Sequence, residues 1–135
     1  MGIVIDTNVF IDAENGRADL SQIASLKHYK YAYIAAVTVS ELLAGVHLAE
    51  DPGVKIVRSA FVEGILAKIP VLQFDEEVAR IYAGIYSYFI KAKGRKEVNV
   101  HDLQIAATAI AHGYPVLTSN ISDFKKIPGL RVEIP

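Results

Sequence analysis

Four carboxylates of this 135-residue chain stand where a fold can use them for chemistry: Asp6, Glu41, Asp102 and Asp123. Asp6 ends the apolar run Gly2-Ile3-Val4-Ile5 and opens the amphipathic run Val9-Phe10-Ile11-Asp12-Ala13. Glu41 falls in the first turns of a helical pattern that follows a second apolar run. Asp102 lies near the start of an Ala-rich helical pattern, and Asp123 follows Val116-Leu117-Thr118. Two like charges ~4 Å apart repel by roughly 4 kcal/mol at an effective dielectric of about 20. Four acids in one crevice therefore raise one another's pKa or recruit a cation. The chain has no cysteine, so the ligands would be oxygens, which suit Mg²⁺ or Mn²⁺ rather than zinc. A hard cation held this way binds a phosphodiester oxygen, lowers the pKa of a bound water and stabilises developing charge. The chemistry expected is hydrolysis dependent on a divalent metal.

Each acid also has a plainer reading. Asp6 is a favoured helix cap. Thr38-Val39-Ser40-Glu41 fits a capping box in which Glu41 reaches back to Thr38. Asn99 to Asp102 and Asn120 to Asp123 repeat the cap-plus-third-residue spacing, where a negative charge suits the helix dipole. Caps alone would scatter around a surface, whereas these four are expected at one edge of a sheet.

The elements that must position them follow from apolar spacing. A run such as Gly2-Ile3-Val4-Ile5 reads as a strand buried on both faces. Further strands are expected at 31–35, 69–74, 116–118 and 130–134. Helices are expected from Asp6 to a stop at Asn15-Gly16, and at 19–27, 37–46, 51–68, 75–94, 99–112 and, as a short turn, 120–126. In the 19–27 segment Leu20, Ile23, Ala24 and Leu26 would point inward. Strands alternating with helices imply right-handed β-α-β units. The fold class expected is α/β, three layers with a central parallel sheet of four to five strands. One domain over 1–135 is expected from the length and from the lack of repeats and linkers.

Composition limits the function classes. More than half of the residues are hydrophobic, so disorder is not expected. No apolar run approaches the ~20 residues of a membrane span. The N-terminus lacks the charged region of a signal peptide, and a cytoplasmic location is expected. The formal charge is −1 with a pI near 6.4. Binding of a polyanion then needs a local basic patch or a cation held by the acids.

The motifs Asp6-Thr7-Asn8, Ser40-Glu41-Leu42 with Gly45, Asp102-Leu103-Gln104-Ile105-Ala106-Ala107-Thr108-Ala109, and Leu117-Thr118-Ser119-Asn120-Ile121-Ser122-Asp123-Phe124 with Pro128-Gly129-Leu130 together resemble the PIN domain. They run in the family's order over nearly the whole chain, and the length looks most like the VapC toxins of toxin–antitoxin pairs. The resemblance implies a Mg²⁺-dependent endoribonuclease leaving 5′-phosphate and 3′-hydroxyl ends, with Mn²⁺ able to substitute. It implies Asp6 and Asp102 as principal metal ligands, with Glu41 and Asp123 completing the cluster directly or through water. Thr7, Asn8, Thr118 and Asn120 match positions that support those acids. It also implies a homodimer, a cognate VapB-type antitoxin, an RNA substrate (tRNA or mRNA) and no membrane partner. One departure is Asn99, which stands where a common family pattern has glycine.

Other features carry less. Lys91, Lys93, Arg95 and Lys96 form the dense basic run, a candidate RNA contact or a solvated helix end complementing its dipole. Val78, Ile81, Tyr82, Ile85, Tyr86, Phe89 and Ile90 cover more than one helix face, which fits either a dimer surface or extra core burial. His28, His47, His101 and His112 show no ligand spacing, and His101, though next to Asp102, points away from it on a helix. Two rival classes remain: a receiver-like Mg²⁺-binding signalling module, and a non-catalytic PIN-like binding module. The first needs paired acids at the end of the first strand and a phosphoacceptor ending another. Here Asp6 stands alone and Asp51 reads as a helix end.

Overall fold

An apolar run without alternation needs cover on both faces, and strand β1 (Gly2–Ile5) has it, every residue being buried. The chain is described by a computed structural model over residues 1–94 and 98–135, with 22, 24 and 25 followed through their backbone only. Strands β2 (Tyr31–Ala35) and β4 (Val116–Leu117) flank β1 in parallel, with Ile3 opposite Ala32 and Ile5 opposite Leu117. Strands β3 (Val71–Leu72) and β5 (Val132–Glu133) complete a five-stranded sheet of order β3-β2-β1-β4-β5. Every pairing is parallel. The chain steps outward from β1 to β3, then returns across the sheet to β4 and β5. Beyond the carboxyl ends of the strands, such a reversal leaves a crevice where ligands bind in sheets of this kind. Asp6 stands there.

The helices are α1 (Thr7–Glu14), α2 (Ala36–Leu48), α3 (Pro52–Lys68), α4 (Glu76–Lys93), α5 (Val100–His112) and the short α6 (Ile121–Phe124). Ile3, Ile5, Ile34 and Leu117 pack with Phe10 of α1, Leu42 of α2 and Val62 of α3. Val4, Ala35 and Val116 pack on the opposite side with Val78 and Phe89 of α4, Ala106 of α5 and Phe124 of α6. The result is the expected three-layer α/β/α arrangement around a parallel sheet.

Three expectations change. The 19–27 segment forms two 3₁₀ turns, Leu20–Gln22 and Ala24–His28, separated by Ile23 in extended conformation. Asp19 accepts from the Ser21 amide at 3.0 Å, a local bond that competes with the helix. Of the residues expected to point inward there, Ile23 is buried while Leu20 and Leu26 are half-buried, and the Ala24 side chain lies outside the described residues. The outer strands are shorter than 69–74 and 130–134, since each has one neighbour, and Pro70 has no amide to donate. On α4, Val78, Ile85 and Phe89 are buried, and Ile81, Tyr82 and Tyr86 pack against the core. Most of that helix's apolar surplus is therefore used within the chain's own core, while Tyr88 stays 54% exposed.

At the far end of β1 from Asp6, Gly2 leaves room for two rings. A Cβ on it would stand 2.7 Å from Tyr33 Cε2 and 2.9 Å from Tyr114 Cε2. These two rings stack at 5.4 Å with only 6° between their planes, so neither can yield alone. Gly2→Val is expected to cost about 1–3 kcal/mol by overpacking. Urea unfolding should show a lower midpoint at unchanged slope.

Candidate metal centre

Asp6 sits at the N-cap position of α1 in extended conformation, yet its side chain makes no capping bond. Its Oδ2 instead accepts from the Thr118 hydroxyl at 2.8 Å. Thr118 is itself fixed, its Oγ1 accepting from the Asn120 amide at 2.9 Å. Asp6 is 1% exposed, and burial pushes its pKa up to about 6. The Thr118 bond opposes that rise, the Glu41 charge adds to it, and the amides of Thr7 and Asn8 hold it back. Asp6 is thus more than a helix cap: its carboxylate is engaged by Thr118 across the crevice while the start of α1 helps to hold it.

Helix α2 starts at Ala36, directly off β2 and before Thr38. Thr38 is therefore inside the helix, and no capping box forms. Glu41 reaches across to α1, where its Oε1 accepts from the Thr7 hydroxyl at 2.7 Å. Thr7 Oγ1 also lies 3.0 Å from Thr38 Oγ1. A hydroxyl has one proton, so with Thr7 donating to Glu41, Thr38 supplies the other bond. The second oxygen of Glu41 lies 3.2 Å from His101 Nδ1. The pairing of His101 with Glu41 is invisible in sequence, because the two lie sixty positions apart. It does agree with His101 pointing away from its neighbour Asp102.

Asp102 is positioned by a cap that behaves as expected, with Asn99 Oδ1 accepting from its amide at 3.2 Å. Asn99 has φ −85° and ψ 98°, a conformation any residue adopts, so the loop needs no glycine there. Asp102 is 8% exposed. Its pKa is pushed up to about 7, first by burial, then by the charges of Asp6, Asp123 and Glu41, with His101 opposing. Its Oδ2 is buried without a hydrogen-bond partner among the described residues. An unmet carboxylate oxygen in a dry place is costly. Asp123, on α6, is exposed and held by Asn120 Nδ2 at 2.8 Å.

The crevice thus holds Asp6 and Asp102 as buried, mutually repelling acids, with Glu41 and Asp123 on its more open sides. Thr7, Thr118 and Asn120 hold the acids by hydrogen bonds. Asn8 supports Asp6 through its backbone amide, and its side chain forms no hydrogen bond among the described residues. Asp12, which the sequence offers no reason to single out, accepts from Ser119 Oγ at 3.2 Å in the loop after β4. Among the described residues no three acid or imidazole side chains stand as a closed metal cage. The orphaned Asp102 Oδ2, the two raised pKa values and the all-oxygen donor set fit a hard divalent cation.

The remaining expectations separate. Lys91 and Lys93 are exposed at the end of α4. Arg95 and Lys96 lie outside the described residues. Asp51 caps α3, accepting from the Gly53 amide at 2.9 Å, and that occupies the acid a receiver-like module would need as phosphoacceptor.

Residues 3–130 of the chain match the PIN domain. Ribonuclease VapC1 of Rickettsia felis is 39% identical over 132 residues, which is 98% of this chain and 95% of that protein. A tRNA(fMet)-specific endonuclease VapC of Salmonella typhimurium is 33% identical over 100 residues, 74% of this chain and 72% of its own length. Among solved structures, that of VapBC2 from Rickettsia felis bound to a DNA fragment from their promoter superposes with a TM-score of 0.85. It covers 100% of this chain and 99% of the other at 25% identity.

Proposed function

The chain belongs to the PIN-domain family, and from that premise we propose that it is a VapC-type endoribonuclease dependent on Mg²⁺ or Mn²⁺. The observation that carries the metal is the buried Oδ2 of Asp102, unpartnered among the described residues, beside a second buried acid, Asp6, whose charge raises the cost of ionising Asp102. Asp6 and Asp102 would hold the ion, with Glu41 and Asp123 completing the cluster directly or through water. When bound there, such an ion polarises a phosphoryl oxygen and lowers the pKa of a water.

The chain's own groups do the rest. Glu41, fixed by Thr7 on one oxygen and His101 on the other, orients the attacking water and takes its proton. Thr118 keeps Asp6 turned into the crevice. Asp123, tethered by Asn120, limits the open side. Attack of water on phosphorus breaks the bond to the 3′ oxygen, which takes a proton from solvent water as it leaves, giving a 5′-phosphate and a 3′-hydroxyl.

The relatives' names and the VapBC complex support a VapB-type antitoxin as partner, a toxin–antitoxin role and an RNA substrate, tRNA or mRNA. Residues 1–135 are taken as a single domain, working in the cytoplasm as a homodimer. Among the described residues no helix is long and apolar enough to cross a membrane. Purified protein freed of antitoxin, given Mg²⁺ or Mn²⁺ and a panel of tRNA and mRNA, is expected to cleave RNA and to stop in EDTA. Fragments should bear 5′-phosphate ends, read by a 5′-phosphate-dependent exonuclease. Absence of cleavage with both metals across the panel sinks the reading.

A further inference from the structure

Beside the acids lies a cavity of about 80 Å³ whose walls carry Asp102 and Asp123 together with Lys93 and Lys126. Its floor is apolar, formed by Phe89, Leu103 and Ile127, all buried. Neither lysine forms an ion pair among the described residues, although both share this small space with carboxylates. Lys93 Nζ instead lies 5.8 Å from the centre of the Phe89 ring. The buried Asp102 side chain with the unpartnered oxygen is part of the same wall. The cavity opens to solvent and holds more than the space of a single water, so it has room for a group the size of a phosphate.

Two cations without an ion pair among the described residues, over a phosphate-sized hollow and next to acids that would otherwise repel the backbone, mark a place for an anion. Resting on the ribonuclease reading, we propose that this cavity seats the RNA phosphate adjacent to the one cleaved, gripped by Lys126 and Lys93. Lys126 comes from the segment just after α6 and Lys93 from the end of α4, so the strand is clamped between two elements that otherwise only border the site. A lysine is a point charge and reads no base. The seat therefore sets the path of the strand across Asp6 and Asp102 and leaves sequence choice to other contacts. Lys126 stands apart from the basic run at 91–96, which is why sequence alone passes over it.

The test uses the Asp6→Asn chain to halt turnover and a fluorescent single-stranded RNA, with binding followed by anisotropy across a KCl series. Adding Lys126→Ala is expected to weaken binding about fivefold at ~0.1 M salt and to reduce the salt slope by about 0.7, the value for one phosphate contact on a single strand. Lys93→Ala should do the same, Lys126→Arg should restore both quantities, and Lys55→Ala on the exposed face of α3 should change neither. In the otherwise native enzyme Lys126→Ala should raise KM while kcat holds. An unchanged slope in both Lys126→Ala and Lys93→Ala, or an equal loss in Lys55→Ala, overturns the seat. If the native chain cleaves no RNA yet the slope falls as expected, the ribonuclease reading fails while the phosphate seat stands.

Discussion

Asp6→Asn and Asp102→Asn are each expected to lower RNA cleavage at least a thousandfold while leaving the fold intact. The asparagine side chain keeps the shape of the aspartate and removes its charge, and charge is what a hard cation needs from these positions. Losing a ligand carboxylate removes several kcal/mol of transition-state stabilisation, and each ~1.4 kcal/mol is tenfold in rate. The residues behind the acids should cost less. Thr118→Val removes the 2.8 Å bond to Asp6, and His101→Gln alters the 3.2 Å contact to Glu41. Groups that only orient a metal ligand are typically worth about 10–100-fold. The expected result is a graded series under single-turnover conditions, with Mg²⁺ affinity by calorimetry falling in the same order. Full activity in either Asp→Asn variant would place the site elsewhere.

The framework of that site is written plainly in the sequence. Ile3 and Ile5 pack on one side of the sheet and Val4 on the other, and such a strand shows the unbroken apolar run by which β1 is recognised. Asn99 caps α5 as its type and spacing suggest. The outer strands were harder to bound, because a strand paired on one side keeps only as much ladder as its neighbour offers. The 19–27 segment was harder still. Its apolar spacing reads as a helix, but the Asp19–Ser21 bond diverts the backbone before a turn of α-helix closes.

In the site, the four acids were legible because each follows a strand or starts a helix at the same edge of a parallel sheet. What each acid touches was not. Glu41 has the spacing of a capping residue, and only the abrupt change from β2 to α2 at Ala35 and Ala36 carries Thr38 past the cap position. That shift frees Glu41 to meet Thr7 and His101. Contacts between residues far apart in the chain, such as Thr118 with Asp6 or the sharing of one cavity by Lys93 and Lys126, depend on how whole layers pack. No local pattern announces them.

The second large effect concerns stability, and its sign follows from the same burial. In the folded chain Asp6 is pushed up to about 6 and Asp102 to about 7, each from an ordinary 3.8. Between about pH 4 and pH 7 the folded state therefore binds more protons than the unfolded state. Stability then falls as pH rises through that window and levels off above it. At ~1.4 kcal/mol per pKa unit, Asp102 alone contributes a loss on the order of 4 kcal/mol. The two acids oppose each other's ionisation, so their combined loss is less than the sum of separate terms. Set against a total stability of roughly 5–15 kcal/mol, this is a large fraction. In EDTA the melting temperature is thus expected to drop by roughly 10 °C or more between pH 5 and pH 8. Mg²⁺ should recover much of that drop at pH 8, about 2.7 kcal/mol at ~100 times its Kd, and little at pH 5, where protons already occupy the site. Asp102→Asn should flatten the EDTA profile and melt higher than the native chain at pH 8, while matching it near pH 5. A native profile that rises with pH in EDTA, or a Mg²⁺ effect equal at both pH values, would mean that the buried acids are held by something other than the cost of their charge.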